Sequence, residues 1–308
     1  MTNKIVAVQG NNPSKLNPVT DTSVFLAHEI QNKNYKIFYY DPKDLSIINS
    51  KVIAEGFFIE FNYKSKKFFK ILKKQKLDLT KCKFILIRQD PPFNLEYISA
   101  TYILDTIKEK VKILNNPTSI RNVSEKLYSV KFQKYMPNTI FTQNIDEIKN
   151  FFKKHKKVIL KPIHSYSGND IYLLTSFNLK LIKKFIKQHD HIMCQKFIPK
   201  ISKGDKRVFL INGKVYGAIS RVPKKGSFLS NMSKGAKPIN IKLTKIENKI
   251  SKLIAKDLKK QNIFFAGIDF IDQKLNGDIN VTSPTGLKTL YDLSGINLAK
   301  TFWRELKA

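Results

Sequence analysis

Residues 267–285, GIDFIDQKLNGDINVTSPT, decide how this chain is read. Apolar runs on either side of a polar turn predict a hairpin: a strand over 264–271, a turn at Asn276–Gly277, and a partner strand over 278–281. Asp278 and Asn280 stand two apart, so both point to one face of their strand, and a turn brings Asp269 opposite them. Gly267, Ile268, Phe270 and Ile271 flank Asp269, so its carboxylate falls in a segment that should be largely buried, where it needs a partner. Two carboxylates and an amide oxygen on one face suit one or two Mg²⁺ ions, whose other oxygen ligands are often nucleotide phosphates. The competing reading is a solvated hairpin face, and the apolar flanks weigh against it.

Upstream of this hairpin, 244–260 reads as a long amphipathic helix and 227–236 as a Gly/Ser-rich loop. Residues 206–211 and 214–221 form the clearest hairpin in the chain, because Asn212–Gly213 between two alternating runs favours a type I′ turn. Further back, helices are predicted over 124–134, 146–155 and 179–188, with strands over 158–160, 171–174 and 191–195. The first third alternates strands (4–9, 35–40, 84–87, 111–114) with helices (22–31, 95–108). That pattern predicts a small open α/β unit with a parallel sheet, whose ligands lie at the carboxyl ends of the strands. Residues 51–61 read as a hairpin or edge strand turning at Glu55–Gly56. A terminal helix is expected over 297–306. The second half is α+β, and the boundary falls near 120–125.

The chain has 308 residues, 42% of them hydrophobic and 26% charged, which is the composition of a folded protein rather than a disordered one. Its formal net charge is +32, yet only five of the 56 basic residues are arginine. Lysines spread along the whole chain, together with abundant Asn, Ile, Phe and Tyr, are what an AT-rich genome tends to encode. Arginine is the residue that grips phosphate bidentately and reads base edges, so the charge is read as background composition, with no nucleic-acid partner. A positive cleft also concentrates anionic small substrates. Two cysteines, Cys82 and Cys194, exclude a disulfide framework and a four-cysteine metal site. No apolar run reaches the ~18 residues of a membrane span, and the first ten residues lack the apolar stretch of a signal peptide. The expectation is a cytoplasmic protein with no membrane partner.

Lys161 ends the apolar strand VIL, and with Lys126 it can reach phosphate as a point charge. Ser165–Asp170, with Ser167 and Gly168, is a candidate phosphate-cradling loop, although one glycine makes a weak signature. In a chain with five arginines, the placement of Arg207 on one strand of the 206–221 hairpin and Arg221 at the end of the other carries weight. His164 opens the loop after Lys161; the other histidines lie in Lys-rich stretches or a helix, and neither cysteine resembles a nucleophile.

These parts assemble into a resemblance. RQDPP at 88–92, ISATYIL at 98–104, NNP at 115–117, EKL at 125–127, ILKP at 159–162, GDKRV at 204–208 and DINVTSPT at 278–285 occur in the order found in bacterial glutathione synthetases, which are ATP-grasp ligases. The resemblance covers about residues 4–300. It implies an α/β and α+β protein: an N-terminal pre-ATP-grasp domain (1–122), a small lid domain (123–200) and a C-terminal metal- and phosphate-binding domain (201–308), with ATP between the last two. Lys126, Lys161, Ser167 and Gly168 would hold the nucleotide phosphates, with Gln195, Lys196, Phe197 and Ile198 at the adenine and Asp205 near the ribose. Arg207, Arg221 and Asn231 would be catalytic, with Arg207 at the phosphoryl group. Asp269, Asp278 and Asn280 would bind Mg²⁺, or Mn²⁺ in its place. Arg88, Asp90, Ser283, Pro284 and Thr285 would face the dipeptide. The implied reaction joins γ-glutamylcysteine to glycine with ATP, forming glutathione, ADP and phosphate through an acylphosphate, in a homo-oligomer, a tetramer.

The chain departs from the family pattern in places. The 164–170 loop has one glycine where the family has several. In the 229–237 loop two family arginines are replaced by Leu229 and Lys237, and an Arg-to-Lys exchange at a bidentate site is not neutral. Asp278 stands where the family has Glu, the hairpin is one residue longer, and Tyr291 replaces an acidic residue. The alternatives are an ATP-grasp carboxylate–amine ligase with a different amine acceptor, and a nucleotide-binding relative with reduced activity.

Overall fold

The computed structural model describes residues 4–166 and 168–308, and its strands fall into three sheets of seven, four and five. The first contains β1 (Ile5–Gln9), β2 (Lys36–Tyr40), β3 (Leu45–Ile48), β4 (Lys51–Phe61), β5 (Phe69–Asp78), β6 (Phe84–Ile87) and β7 (Lys112–Leu114). The strands β2, β1, β6 and β7 are parallel neighbours, as the alternation with helices predicts. The other half is antiparallel, so the sheet is mixed. β4 does not turn at Glu55–Gly56 but runs unbroken beside β2, β3 and β5. Gly56 serves close approach: a Cβ there would lie 2.4 Å from the Tyr39 carbonyl oxygen. Helix α1 (Thr22–Gln31) forms where predicted, started by Asp21, whose carboxylate accepts from the amides of Ser23 and Val24. It buries Phe25, Leu26 and Ile30 on one face of the sheet, while α2 (Leu95–Asp105) and α3 (Pro117–Asn122) cover the other.

The second sheet has the order β10–β9–β11–β8, from β8 (Thr139–Thr142), β9 (Val158–Pro162), β10 (Tyr172–Leu174) and β11 (Ile192–Lys196), backed by α4 (Ile145–His155) and α5 (Leu179–His189). The third runs β14–β13–β12–β15–β16, from β12 (Asp205–Ile211), β13 (Lys214–Val222), β14 (Lys237–Asn240), β15 (Phe265–Ile271) and β16 (Lys274–Asn280). Helix α6 (Lys245–Lys260) packs on it behind a Thr244/Glu247 capping box. The 205–222 hairpin turns at Asn212–Gly213, with φ 48° and 76°. The predicted helix over 124–134 is a run of tight 3₁₀ turns, Leu127–Tyr135, broken at Phe132; the Ser129 hydroxyl donates to the Lys126 carbonyl and competes with regular helix bonding.

The last hairpin turns elsewhere than predicted. Its tip is Asp272–Gln273, at φ 45° and 63°, and Asn276–Gly277 lie inside β16. Ile268 pairs with Ile279 and Phe270 with Leu275, so Asp269 alone faces residues 276–278 in a β-bulge. Gly277, at φ 87°, is needed there: a Cβ would meet the Met193 methyl at 2.5 Å.

Helices α7 (Leu287–Ser294) and α8 (Leu298–Leu306) carry the chain back to the first sheet. Trp303 is fully buried against it and donates its indole N–H to the Leu26 carbonyl at 2.9 Å. Asn115, past the end of β7, welds the first sheet to the third: its amide donates to the carbonyls of Phe265 and Val281 and its Oδ1 accepts from the amides of Phe264 and Phe265. Among the described residues, no helix is long and apolar enough to cross a membrane.

Candidate active site

A cavity with about 100 Å³ of free space lies between the second and third sheets. Ile159 and Lys161 of β9 and Gln195 and Lys196 of β11, with Phe197 and Ile198, form one side. Asp205 and Arg207 of β12, Arg221 of β13, Asp269 of β15 and Asn276, Asp278 and Asn280 of β16 form the other. Lys126 closes one end. Gly168 and Asn231 come from two loops that meet over the opening, where a Cβ on Gly168 would lie 2.3 Å from Asn231 Oδ1. Lys234 Nζ donates to Asn169 Oδ1 across the same loops at 3.0 Å. The structure thus gathers the nucleotide, catalytic and metal candidates into one site, apart from Ser167, which lies outside the described residues.

Two buried charge clusters organise the cavity. In the first, Arg207 and Asp269 stand directly opposite on β12 and β15, and Arg207 Nε and Nη2 meet the two Asp269 oxygens at 2.5 and 2.8 Å. Arg221 Nη2 lies 3.0 Å from Asp269 and also donates through Nε, at 2.8 Å, to Asp205, whose other oxygen accepts from Nη2. Burial pushes both carboxyls up. At Asp269 the two guanidiniums outweigh it and hold the carboxyl well below its ordinary range. At Asp205, with one arginine and a neighbouring carboxylate, burial prevails and the carboxyl sits above it.

In the second cluster Asp278 lies 3.5 Å from Lys126 Nζ and 3.7 Å from Lys161 Nζ. Burial lowers the Lys161 ammonium, the Asp278 charge opposing and the Lys126 charge adding. Lys161 also donates to Gln195 Oε1 at 3.2 Å and to both the carbonyl and Oδ1 of Asn276 at 3.0 Å. Five cations, Lys126, Lys161, Lys196, Arg207 and Arg221, line this pocket and form a receptacle for a polyphosphate.

Asp269, Asp278 and Asn280 offer two carboxylates and, with the Asn280 amide nitrogen donating to the Gly267 carbonyl, one amide oxygen. These are hard oxygen donors that fit Mg²⁺. Among the described residues no three His, Cys, Asp or Glu side chains are grouped to hold a metal alone, so the set suits an ion that arrives with phosphate oxygens.

Two contributors were not singled out in the sequence. Glu125 Oε1 accepts from the amides of Val281 and Thr282 and from the Thr282 hydroxyl, which pins the strand end beyond Asn280. Asn276 reads as a turn residue beside its glycine; the signal was the one-residue excess in the hairpin, which the bulge absorbs.

The dipeptide candidates form a separate cluster. Arg88, past β6, is 8% exposed and donates to Ser23 Oγ and to the Pro284 carbonyl, each at 3.0 Å. Among the described residues it has no carboxylate within salt-bridge distance, and burial lowers its guanidinium. The Ser283 hydroxyl donates to the Gln89 carbonyl, and Asp90 is held through its amide by Asn11. Asp90 and Thr285 are exposed.

Fold and cavity together define an ATP-grasp ligase. The chain superposes on D-cycloserine synthetase DcsG with a TM-score of 0.67 (10% identity, 98% of each chain) and on the ATP-grasp ligase PsnB, complexed with a precursor variant, Mg and ADP, with 0.65 (11% identity, 99% of each). The sequence profile of the prokaryotic glutathione synthetase N-terminal domain matches residues 5–121, and that of the corresponding ATP-grasp domain matches residues 125–295. Glutathione synthetase of Bradyrhizobium diazoefficiens is 33% identical over 97% of this chain and 96% of its own, and that of Buchnera aphidicola 36% identical over 93% and 90%. The chain belongs to the prokaryotic glutathione synthetase family, and it is an ATP-dependent carboxylate–amine ligase.

Proposed function

We propose that the enzyme joins γ-glutamylcysteine to glycine with ATP, and that the cavity between the second and third sheets carries the chemistry. The observation that supports this reading most is the convergence of Lys126, Lys161, Arg207 and Arg221 with the oxygen set of Asp269, Asp278 and Asn280. A carboxylate is a poor electrophile because its leaving group would be oxide. Its oxygen attacks the γ-phosphorus of ATP, ADP leaves, and the acylphosphate forms. The glycine amine then attacks the acyl carbon, the tetrahedral intermediate expels phosphate with the former carboxylate oxygen, and the amine loses a proton.

Little covalent work falls to the protein; it positions anions and neutralises charge. Lys126 and Lys161 hold the phosphates, and the segment Gln195–Ile198 borders the adenine. Arg207 meets the transferring phosphoryl group. Arg221, held in place by Asp205, and Asn231 stabilise the oxyanion. Asp269, Asp278 and Asn280 would hold Mg²⁺, which when bound would supply Lewis-acid charge to the phosphates. Arg88, a buried cation with no carboxylate at salt-bridge distance among the described residues, anchors the dipeptide, with Asp90 and the 283–285 segment beside it. The close approach of Gly168 to Asn231 and of Asn169 to Lys234 shields the acylphosphate from water that would hydrolyse it. Lys234 and Lys237 serve as point charges for the glycine carboxylate. The reaction belongs in the cytoplasm, where free buried thiols such as Cys82 and Cys194 persist.

The test is an isotope transfer. γ-Glutamylcysteine labelled with ¹⁸O in the cysteine carboxylate should pass one label to inorganic phosphate per peptide bond formed. Unlabelled phosphate alongside labelled peptide would rule out the acylphosphate.

A further inference from the structure

An amino acid acceptor carries an ammonium at neutral pH, and an ammonium has no lone pair with which to attack. A group in the site must take one proton before the carbon–nitrogen bond forms. Such a base is unprotonated at neutral pH, close to the reacting atoms and free of other partners. The carboxylates of the cavity fail the last condition. Asp205 is held by Arg221, Asp269 by Arg207 and Arg221, and Asp278 stands between Lys126 and Lys161. Glu125 accepts from two backbone amides and the Thr282 hydroxyl.

His164 meets all three conditions. It opens the loop after β9 and lines a half-open recess that adjoins the nucleotide cavity and shares Glu125, Ser165 and Tyr166 with it. Lys126 fixes its backbone from the phosphate side. That ammonium donates to the Ser165 carbonyl at 2.8 Å and to the Ile163 carbonyl at 3.5 Å, one on either side of His164. Among the described residues, side-chain hydrogen bonds or ion pairs engage His28, His155 and His189, but not His164. The charged and titratable groups that face it are Lys126, Glu125 and Tyr166. Burial and the Lys126 ammonium both lower its imidazolium below the ordinary range, so the ring is neutral at neutral pH. The same loop meets the group assigned to the acceptor's carboxylate, since Lys234 donates to Asn169 Oδ1 at 3.0 Å.

We propose that His164 is the general base that deprotonates the incoming glycine ammonium. The inference rests on the reaction proposed above. One N–H bond of the ammonium breaks and its proton passes to the imidazole. The freed lone pair attacks the acyl carbon. The tetrahedral intermediate then expels phosphate, which takes the second ammonium proton and leaves as hydrogen phosphate. The imidazolium returns its proton to solvent through the open side of the recess, so one proton is released per peptide bond.

The experiment measures kcat/KM for the amine between about pH 7 and about pH 9, in wild type, His164→Asn and His164→Gln, with ATP, Mg²⁺ and γ-glutamylcysteine. Two amines are compared: glycine, and hydroxylamine, which is already unprotonated at neutral pH and yields a hydroxamate. With glycine each variant should be about 100-fold slower at the lower pH. The deficit should shrink by roughly tenfold per pH unit, because the variants use only amine that solvent has deprotonated. Hydroxamate formation should stay within about threefold of wild type throughout, which also shows that the variants fold and activate the carboxylate. Undiminished use of glycine by the variants overturns the inference, as does a deficit that is constant with pH or equal for the two amines. In those cases the proposed reaction stands. A wild-type enzyme that forms no peptide with glycine overturns the proposed reaction and this inference with it.

Discussion

Arg207 and Asp269 are cross-strand partners joined by two hydrogen bonds, at 2.5 and 2.8 Å, inside a buried cluster that also holds Arg221 and Asp205. The pairing keeps Asp269 ionised although it is 4% exposed. It also means that one carboxylate serves two demands, a structural pair and a proposed metal ligand. Charge is thus preorganised at the point where the phosphoryl group would transfer, which is where fixed charge lowers a barrier most.

Asp269→Asn should separate these demands. The amide keeps the shape and one acceptor, so the fold should persist by circular dichroism, while two buried guanidiniums lose their shared anion. Turnover at saturating ATP should fall by about 10²–10³-fold or more. Unchanged turnover at low Mg²⁺ would remove Asp269 from the metal site.

Arg207→Lys should lower kcat about 100-fold and leave ATP affinity within about threefold, because an interaction made mainly in the transition state registers in kcat. Lysine keeps the charge and loses the bidentate geometry. Calorimetry with steady-state kinetics decides; lost ATP affinity with normal kcat would make Arg207 an anchor only.

Asn115→Ala removes a side chain that serves four backbone groups of the third sheet. Stranding several of these buried groups should cost roughly 3–5 kcal/mol, read as a shift of the urea midpoint. A loss below about 1 kcal/mol would show that water replaces the amide.

Glu305, on α8, accepts from the Tyr216 hydroxyl and from Asn212, with Lys214 adding charge, and its carboxyl is held down to about 2. The folded state therefore favours the ionised form. That stability is fully present above the unfolded value near 4.5 and is lost as pH falls from there through about 2. The Tm of wild type should exceed that of Glu305→Gln at pH 7, and the gap should close on acidification through this window. A gap that is constant with pH would contradict the pairing.

Legibility followed local chemistry. Helix α1 is announced by Asp21 and by Phe25, Leu26 and Ile30 on one face, and the 205–222 hairpin by Asn212–Gly213. β5, FKILKKQKLD, carries four lysines on a sheet edge, which is how edges are kept from pairing with other chains, and so reads as a polar stretch. The turn at Asp272–Gln273 has neither Gly nor Asn to mark it, so the stronger Asn276–Gly277 signal drew the turn four residues too late. In the site, residues of quoted motifs gather in one cavity, including Lys126 and Lys161, which are indistinguishable by composition from the chain's other lysines. Glu125 escaped because it acts on backbone amides more than 150 residues away, and no spacing within its own segment encodes that contact.

The central claim is the identity of the acceptor, since the 229–237 loop carries Leu229 and Lys237 where the family pattern has arginine. The direct measurement is a mass-spectrometric screen of amino acids with ATP, Mg²⁺ and γ-glutamylcysteine. The structure and family predict glutathione as the dominant product, one ADP per peptide, with glycine at a raised KM because lysine replaces a bidentate arginine. Preferential turnover of any other amine, or ADP released without a peptide, would contradict the account while leaving the ATP-grasp fold intact.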